Sequence, residues 1–285
     1  MSTLKHGYRP DLEDVSHLVA TSRPRDWTQL YSASCDRPLD EKIREAIKSR
    51  IVVEGQGRTN SCGGHAGSTI VEFNRWLECG QLDQRSRWAA YIWGQEECGI
   101  DTDSGVQIDG LCRALSSKGL CEDRLWKFTG SYHRTPAGGA EALRLCLENA
   151  AECRLSSWEV LRGGYAGVAQ WLQTGQGGIV AAVPWYSNWY SGVSELLPTP
   201  NGAPAGYHAY PLLWLTGRMQ GARYYVEGPN SWTTSWGRGG WTEWSPSLID
   251  WLSRQPGTLF VGLSDLDGAS TKPREINRRR SWFAT

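Results

Sequence analysis

The stretch GQGRTNSCGGHAGST (residues 55–69) decides how this chain is read. It holds a cysteine, a glutamine, a histidine and five glycines in fifteen positions. Ser61 is a natural helix N-cap. Beyond it Ala66, Ile70, Phe73 and Leu77 recur at i, i+4, i+7 and i+11, the stripe of a core-facing helix, and Gly80 is its stop. That pattern predicts Cys62 in the first turn. There the unpaired backbone N–H groups and the positive dipole end favour thiolate over thiol. The alternative is that Cys62 is one more buried thiol among eight cysteines. Two other readings fail. GQGRTN lacks the third glycine of a dinucleotide fingerprint, and GGHAGST lacks the lysine of a phosphate-binding loop.

The remaining cysteines lie at 35, 79, 98, 112, 121, 146 and 153, with no CxxC pair, so a zinc ribbon or thioredoxin-like motif is unsupported. The N-terminal residues MSTLKHGYRPDLEDVSH have no apolar core, which excludes a secretory signal and predicts reduced thiols. The most apolar run, GIVAAVPWY (178–186), is far short of the roughly 20 residues of a membrane span. The protein is expected in a cytosol, or packaged in a particle such as a virion. Lys and Arg balance Asp and Glu at 30 each, so no whole-chain field recruits nucleic acid or an anionic membrane. Sixteen tryptophans against four phenylalanines predict many half-buried indoles near grooves.

Working outward, PLDEKIREAIKSRI (38–51) places Leu39, Ile43, Ile47 and Ile51 on one helical face, with acidic residues first and basic residues last. VQIDGLCRALSSKGLC (106–121) reads as a helix ending near Gly119, and residues 139–174 read as helical in pieces. From about 178 the character changes. GGIVAAVPWY, HAYPLLWLTG, ARYYVEG and TLFVGLSD are short apolar or β-branched runs between turns, and read as strands. Pro211 inside one of them marks an edge or a bulge. Helices first and strands second give an α+β protein with two lobes and a cleft between them. Residues 1–37 read as an N-terminal arm and 266–285 as a basic, solvated tail.

A thiolate needs a base or ion-pair partner, normally histidine. His65 lies at i+3 from Cys62, on the same helical face. His208, in GYHAYPLLWL (206–215), is the better candidate, at the start of a strand where a ring can point into a cleft. Asn230, in VEGPNSWTTSWGRGGW (226–241), is a candidate to orient it.

These segments resemble the papain-like cysteine peptidases. Gln56 stands six residues before Cys62, as a glutamine does before the nucleophile in that family. His208 and Ala209 match the family's HA followed by an apolar strand. NSWTTSWGRGGW (230–241) matches its NSWG…WG…G pattern, the most specific of the three. DSGVQIDGLCRALSSKGLCEDRLWKF (103–128) is similar to bacterial relatives. The resemblance spans about residues 50–262, strong in short blocks and weak between them.

It implies a two-lobed fold: a catalytic domain over 38–265, with a helical lobe at about 52–135 and a β-rich, barrel-like lobe at about 175–265. It implies an endopeptidase that acts on polypeptides through a thioester and uses no cofactor or metal. Cys62 would be the nucleophile, His208 the base and acid, Asn230 the residue orienting the imidazole, and Gln56 an oxyanion donor. Trp232 would shield the Asn–His bond. A structural or binding module of the same fold, and an acyltransferase resolving the thioester with an amine, are the competing functions. The chain departs from the family at Gly63 and His65, where aromatic residues are common, at Thr59, where a disulfide cysteine is common, and at Thr233. Only 61 residues precede Cys62, too few for the family's long pro-region. A narrow substrate, a restraining partner or a packaged setting is therefore expected.

Overall fold

A computed structural model of the chain describes residues 38–266. The N-terminal arm, and all but the first residue of the basic tail, lie outside the described residues. The first helix, α1 (Glu41–Lys48), forms where the periodicity places it. Asp40 caps it, accepting from Lys42 N at 2.9 Å; Ile47 is buried on its inner face, and Ile51, just past its end, is buried as well.

The second helix, α2 (Cys62–Cys79), is the axis of the molecule, with every residue from Cys62 to Asn74 buried. Gly80 ends it with φ 72°, a left-handed cap that glycine adopts without a Cβ clash. Its glycines exist for packing. A Cβ at Gly64 would lie 2.6 Å from the Arg87 carbonyl oxygen and 2.7 Å from Tyr91 Cβ. Those atoms belong to α3 (Arg87–Glu97), which rests directly on the α2 backbone. The next helix, α4 (Ile108–Ser117), presses Leu111 against Gly67. The apolar periodicity predicted α4 but not α3, whose sequence RWAAYIWGQEE is buried nearly all round and so carries no polar face to mark it.

After α5 (Gly139–Ala150) comes the first strand, β1 (Leu155–Val160), then α6 (Tyr165–Gln173). The helical pieces GGAEALRLCLENA and YAGVAQWLQTG read within 139–174 are α5 and α6, and β1 lies between them without a mark in the sequence. Its six residues, LSSWEV, are too few and too polar to announce a strand, and it is held by pairing with the last strand. β2 (Ile179–Tyr186) follows, then β3 (Pro204–Leu212), β4 (Trp214–Gln220), β5 (Arg223–Pro229), β6 (Trp241–Trp244), α7 (Pro246–Leu252) and β7 (Leu259–Leu266). The strands form two antiparallel sheets, ordered β1-β7-β2-β3 and β4-β5-β6, and do not close into a barrel. HAYPLLWLTG, read as one strand, is two. The chain leaves β3 at Leu213, whose N–H bonds the Glu227 carbonyl at 2.9 Å, and enters the other sheet. Pro211 lies in β3, at the sheet edge, where a missing N–H is tolerated.

All eight residues of β2 are buried because its two faces serve two cores. Val180 and Ala182 pack with the helices, while Ile179, Ala181, Val183 and Trp185 pack into the β-lobe. A strand covered on both sides reads as a continuous apolar run, as IVAAVPWY does. Contrary to expectation, most tryptophans of the described region are buried, not half-buried at grooves. With only four phenylalanines in the chain, they supply the aromatic volume of the β-lobe core.

Candidate active site

The N-terminus of α2 meets the middle of β3. Cys62 opens the helix, and its Sγ accepts the backbone N–H of Ala209 at 3.4 Å. His208 is the preceding residue, four positions into β3, so it lies within the strand and not at its start. Both side chains are fully buried. The Nε2–H of His208 donates to Asn230 Oδ1 at 2.8 Å. That oxygen also accepts the Ser231 N–H at 2.8 Å, which fixes which end of the amide faces the ring. With Nε2 holding its proton on Asn230, Nδ1 is the ring nitrogen left for proton traffic.

Gln56 is drawn into the same constellation. Its backbone N–H donates to the Ser231 carbonyl at 2.7 Å, and its Oε1 accepts from Ser231 Oγ at 2.6 Å. Its Nε2 donates one hydrogen to the Thr59 carbonyl at 2.9 Å. A β-bridge between Gly55 and Trp232 clamps the segment before the nucleophile to the segment after the base. Trp232 sits 5.0 Å from the His208 ring, ring centre to ring centre, and stacks on Tyr190 at 5.3 Å with a 17° tilt. The five residues to which the resemblance assigns a role, Cys62, His208, Asn230, Gln56 and Trp232, are therefore in one place.

Ser61 holds the N-cap position but makes no side-chain capping bond. Its hydroxyl instead pairs with Thr59 Oγ1 at 2.7 Å and lies 3.3 Å from His65 Nδ1. The cap is thus replaced by a short polar chain through Thr59 to the Gln56 carbonyl. Ser231 and Trp185, both close to the site, carried no signal of their own. Ser231 lies inside a motif read for its neighbours, and Trp185 inside an apolar run read only as strand.

His65 has partners of its own at the edge of the site. Its Nδ1–H donates to the Ser61 carbonyl at 3.0 Å, and its ring meets Phe128 edge to face at 4.6 Å. It lines a narrow pocket with Glu54, Thr69 and Arg87, and Ala209, Asn230 and Ser231 line the same pocket. Burial, reinforced by the Arg87 guanidinium, pushes its pKa down to about 3, so it is neutral and a poor base. Arg87 is in turn held by Glu72 and by Glu54, the latter at 2.9 Å. Burial still pushes both carboxylates up, against the pull of the guanidinium. No disulfide links one cysteine to another among the described residues, and Cys79 is exposed. Among the described residues no cluster of His, Cys, Asp or Glu is arranged to hold a metal, and no helix is long and apolar enough to cross a membrane.

Neither a scan of protein-family models nor a search of curated proteins finds a match. Solved structures do match. Xylellain, a cysteine protease from Xylella fastidiosa, superposes with a TM-score of 0.68 at 20% identity, over 91% of this chain and 95% of that one. Procathepsin B S9 from Trypanosoma congolense gives 0.66 at 15% identity, over 92% and 87%. Bromelain protease from Ananas comosus, solved with the inhibitor E64, gives 0.58 at 16% identity, over 77% and 96%. The chain has the papain-like cysteine peptidase fold. Within it, the helix-borne Cys62 and the strand-borne His208 meet at the junction of the helical and β-rich parts.

Proposed function

We propose that this protein is a cysteine endopeptidase in which Cys62 attacks a peptide carbonyl and His208 manages the proton. The observation that carries the reading is the arrangement at β3. The His208 Nε2–H is committed to Asn230, and the next residue's backbone N–H lies on the Cys62 sulfur. A thiol at a helix N-terminus, beside an imidazole whose far nitrogen is fixed, is set up to exist as a thiolate–imidazolium pair.

The thiolate adds to the carbonyl carbon, and the oxyanion is met by the Cys62 backbone N–H and the Gln56 amide, donors worth roughly 3 kcal/mol each. The imidazolium gives its Nδ1 proton to the leaving amine, which departs and leaves a thioester. Neutral His208 then takes a proton from water, the hydroxide adds to the thioester, and Cys62 leaves as thiolate with the imidazolium restored. Asn230 accepts the Nε2–H throughout and keeps the ring from flipping. Placement in a cytosol or a particle, and restraint by a partner, belong to this reading as proposals. So does acyl transfer, in which an amine replaces water at the second step.

The test is alkylation by iodoacetamide at pH 5.5, where ordinary thiols are protonated, followed by mass mapping. Cys62 is expected to react well ahead of exposed Cys79, and to lose that lead in His208→Ala but not in His65→Ala. Equal reaction of Cys62 and Cys79, or loss of the lead only in His65→Ala, would overturn the assignment.

A further inference from the structure

The imidazole of His208 packs against two indoles that also touch each other. Trp232 belongs to the segment that carries Asn230. Trp185 comes from β2, and its ring centre is 4.6 Å from that of His208 at a tilt of 62°, an edge-to-face contact. The antiparallel register explains the contact. Val183 is paired with His208, and Trp185 with Gly206, so Trp185 and His208 are diagonal neighbours on one face of the sheet. Gly206 offers no side chain opposite Trp185, and the indole can reach across to the histidine.

The position is rigid. Trp185 is fully buried and meets Trp189 at 4.9 Å, Trp232 at 5.5 Å and Tyr210 at 6.2 Å. Its indole N–H is also buried, with no hydrogen-bond partner among the described residues. A phenylalanine would fill the strand without that cost, so the N–H is not what the site uses. The π system is. Burial penalises a charged imidazole, and a cation within about 6 Å of the face of an aromatic ring is stabilised by its quadrupole, most strongly by indole, an approach that the edge-to-face contact of the two rings allows.

We propose that Trp185 is a positioning residue that holds the His208 ring and stabilises its protonated form, keeping the thiolate–imidazolium pair intact to higher pH. This rests on the reading of Cys62 and His208 given above. The other ionisable groups near His208 do not share the role. His65, on α2 with Cys62, stays neutral down to about pH 3. Glu227, on β5, is engaged by Lys48 at 2.6 Å. Burial pushes the Tyr210 phenol on β3 and the Tyr186 phenol on β2 up. Tyr207 on β3, Tyr190 after β2, and Tyr224 and Tyr225 on β5 bring phenols and no carboxylate or amine.

The experiment follows alkylation of Cys62 by iodoacetate across pH 4–10 in the full chain. The rate rises as the thiolate forms, and falls when the imidazolium that attracts the anionic reagent loses its proton. The imidazolium is present on both sides of the first step and on only one side of the second. Removing its stabilisation therefore shifts the falling limb alone. Trp185→Leu is expected to move that limb to lower pH by about 0.4 to 1.5 units and to leave the rising limb in place. Trp185→Phe, which keeps a ring and is the variant to rely on if the leucine protein fails to fold, is expected to move it less than Leu does. Trp189→Phe, altering an indole that packs on Trp185, should move neither limb. A falling limb unmoved in both Trp185 variants, or both limbs moving together as loss of packing would produce, overturns the proposal while leaving Cys62 and His208 as assigned. Absence of any Cys62 alkylation below pH 7 in the unaltered protein overturns the underlying reading and this inference with it.

Discussion

Replacing His65 by phenylalanine should make the protein resistant to mild acid. His65 is buried against Phe128, with its Nδ1–H on the Ser61 carbonyl and its pKa pushed down to about 3. In the unfolded chain a histidine titrates near 6.5. Between those values the unfolded state binds a proton that the folded state refuses, so stability falls as pH drops below about 6.5 and keeps falling until about 3. At pH 5 the imbalance is about 1.5 pH units, or about 2 kcal/mol. For a domain of this size that is a loss of roughly 4–8 °C in melting temperature. Phenylalanine keeps the edge-to-face contact and has no proton to bind. It loses the bond to Ser61, but that loss is the same at every pH. The assay is thermal unfolding of both proteins at pH 7.5 and 5.0. The expected result is a pH-induced drop smaller in His65→Phe by about that amount. The raised carboxyls of Glu54, Glu72 and Asp123 contribute to both proteins and cancel in the comparison. Equal drops would refute the idea that a neutral, buried imidazole sets the acid sensitivity.

Two further outcomes follow from the geometry. Asn230→Ala and Trp232→Ala should each lower kcat more than KM on one peptide substrate, because ring alignment counts most in the transition state. Both act on His208, so the double mutant should lose less than the sum of the two, and strict additivity would show that Trp232 does not protect the Asn–His bond. Gly64→Ala should destabilise by about 1–3 kcal/mol or more, since its Cβ would press on backbone and Cβ atoms of α3. Gly67→Ala meets only Leu111 side-chain atoms, at 3.1 Å, and should cost less; the melting temperatures decide the ranking.

Cys62, His208 and Asn230 were legible from local patterns, a helix start, a histidine in an apolar strand and an asparagine in a tryptophan-glycine turn, whereas Gln56 and Trp232 were reached through the resemblance to the papain-like peptidases. The α+β class was legible because amphipathic helices precede short apolar strands. What escaped notice lacks a polar face or a period. Helix α3 is buried all round, β1 is a mixed six-residue strand held by a partner over 100 positions away, and β6 is four residues long. Trp185 escaped for a related reason. An apolar run reports that a strand is buried on both faces, but not which residue faces a histidine. That depends on the register with β3, which no local pattern records.

The sheet order has a consequence in time. β7 is the last strand of the described chain, yet it lies between β1 and β2, hydrogen-bonded to both. During synthesis from the N-terminus the helical part emerges first, carrying Cys62, while His208 and Asn230 are still to be made. Even when they have appeared, β1 and β2 have no strand between them until residues 259–266 leave the ribosome. A nascent chain thus carries Cys62 before His208 exists, and then a sheet with a gap between β1 and β2. On the function proposed above, the site can assemble only after Asn230 and Trp232 have been made, late in synthesis. The same long-range closure makes the domain slow to fold, since pairing β1 with β7 must bring together segments about 100 residues apart in the chain before that edge of the sheet gains any stability.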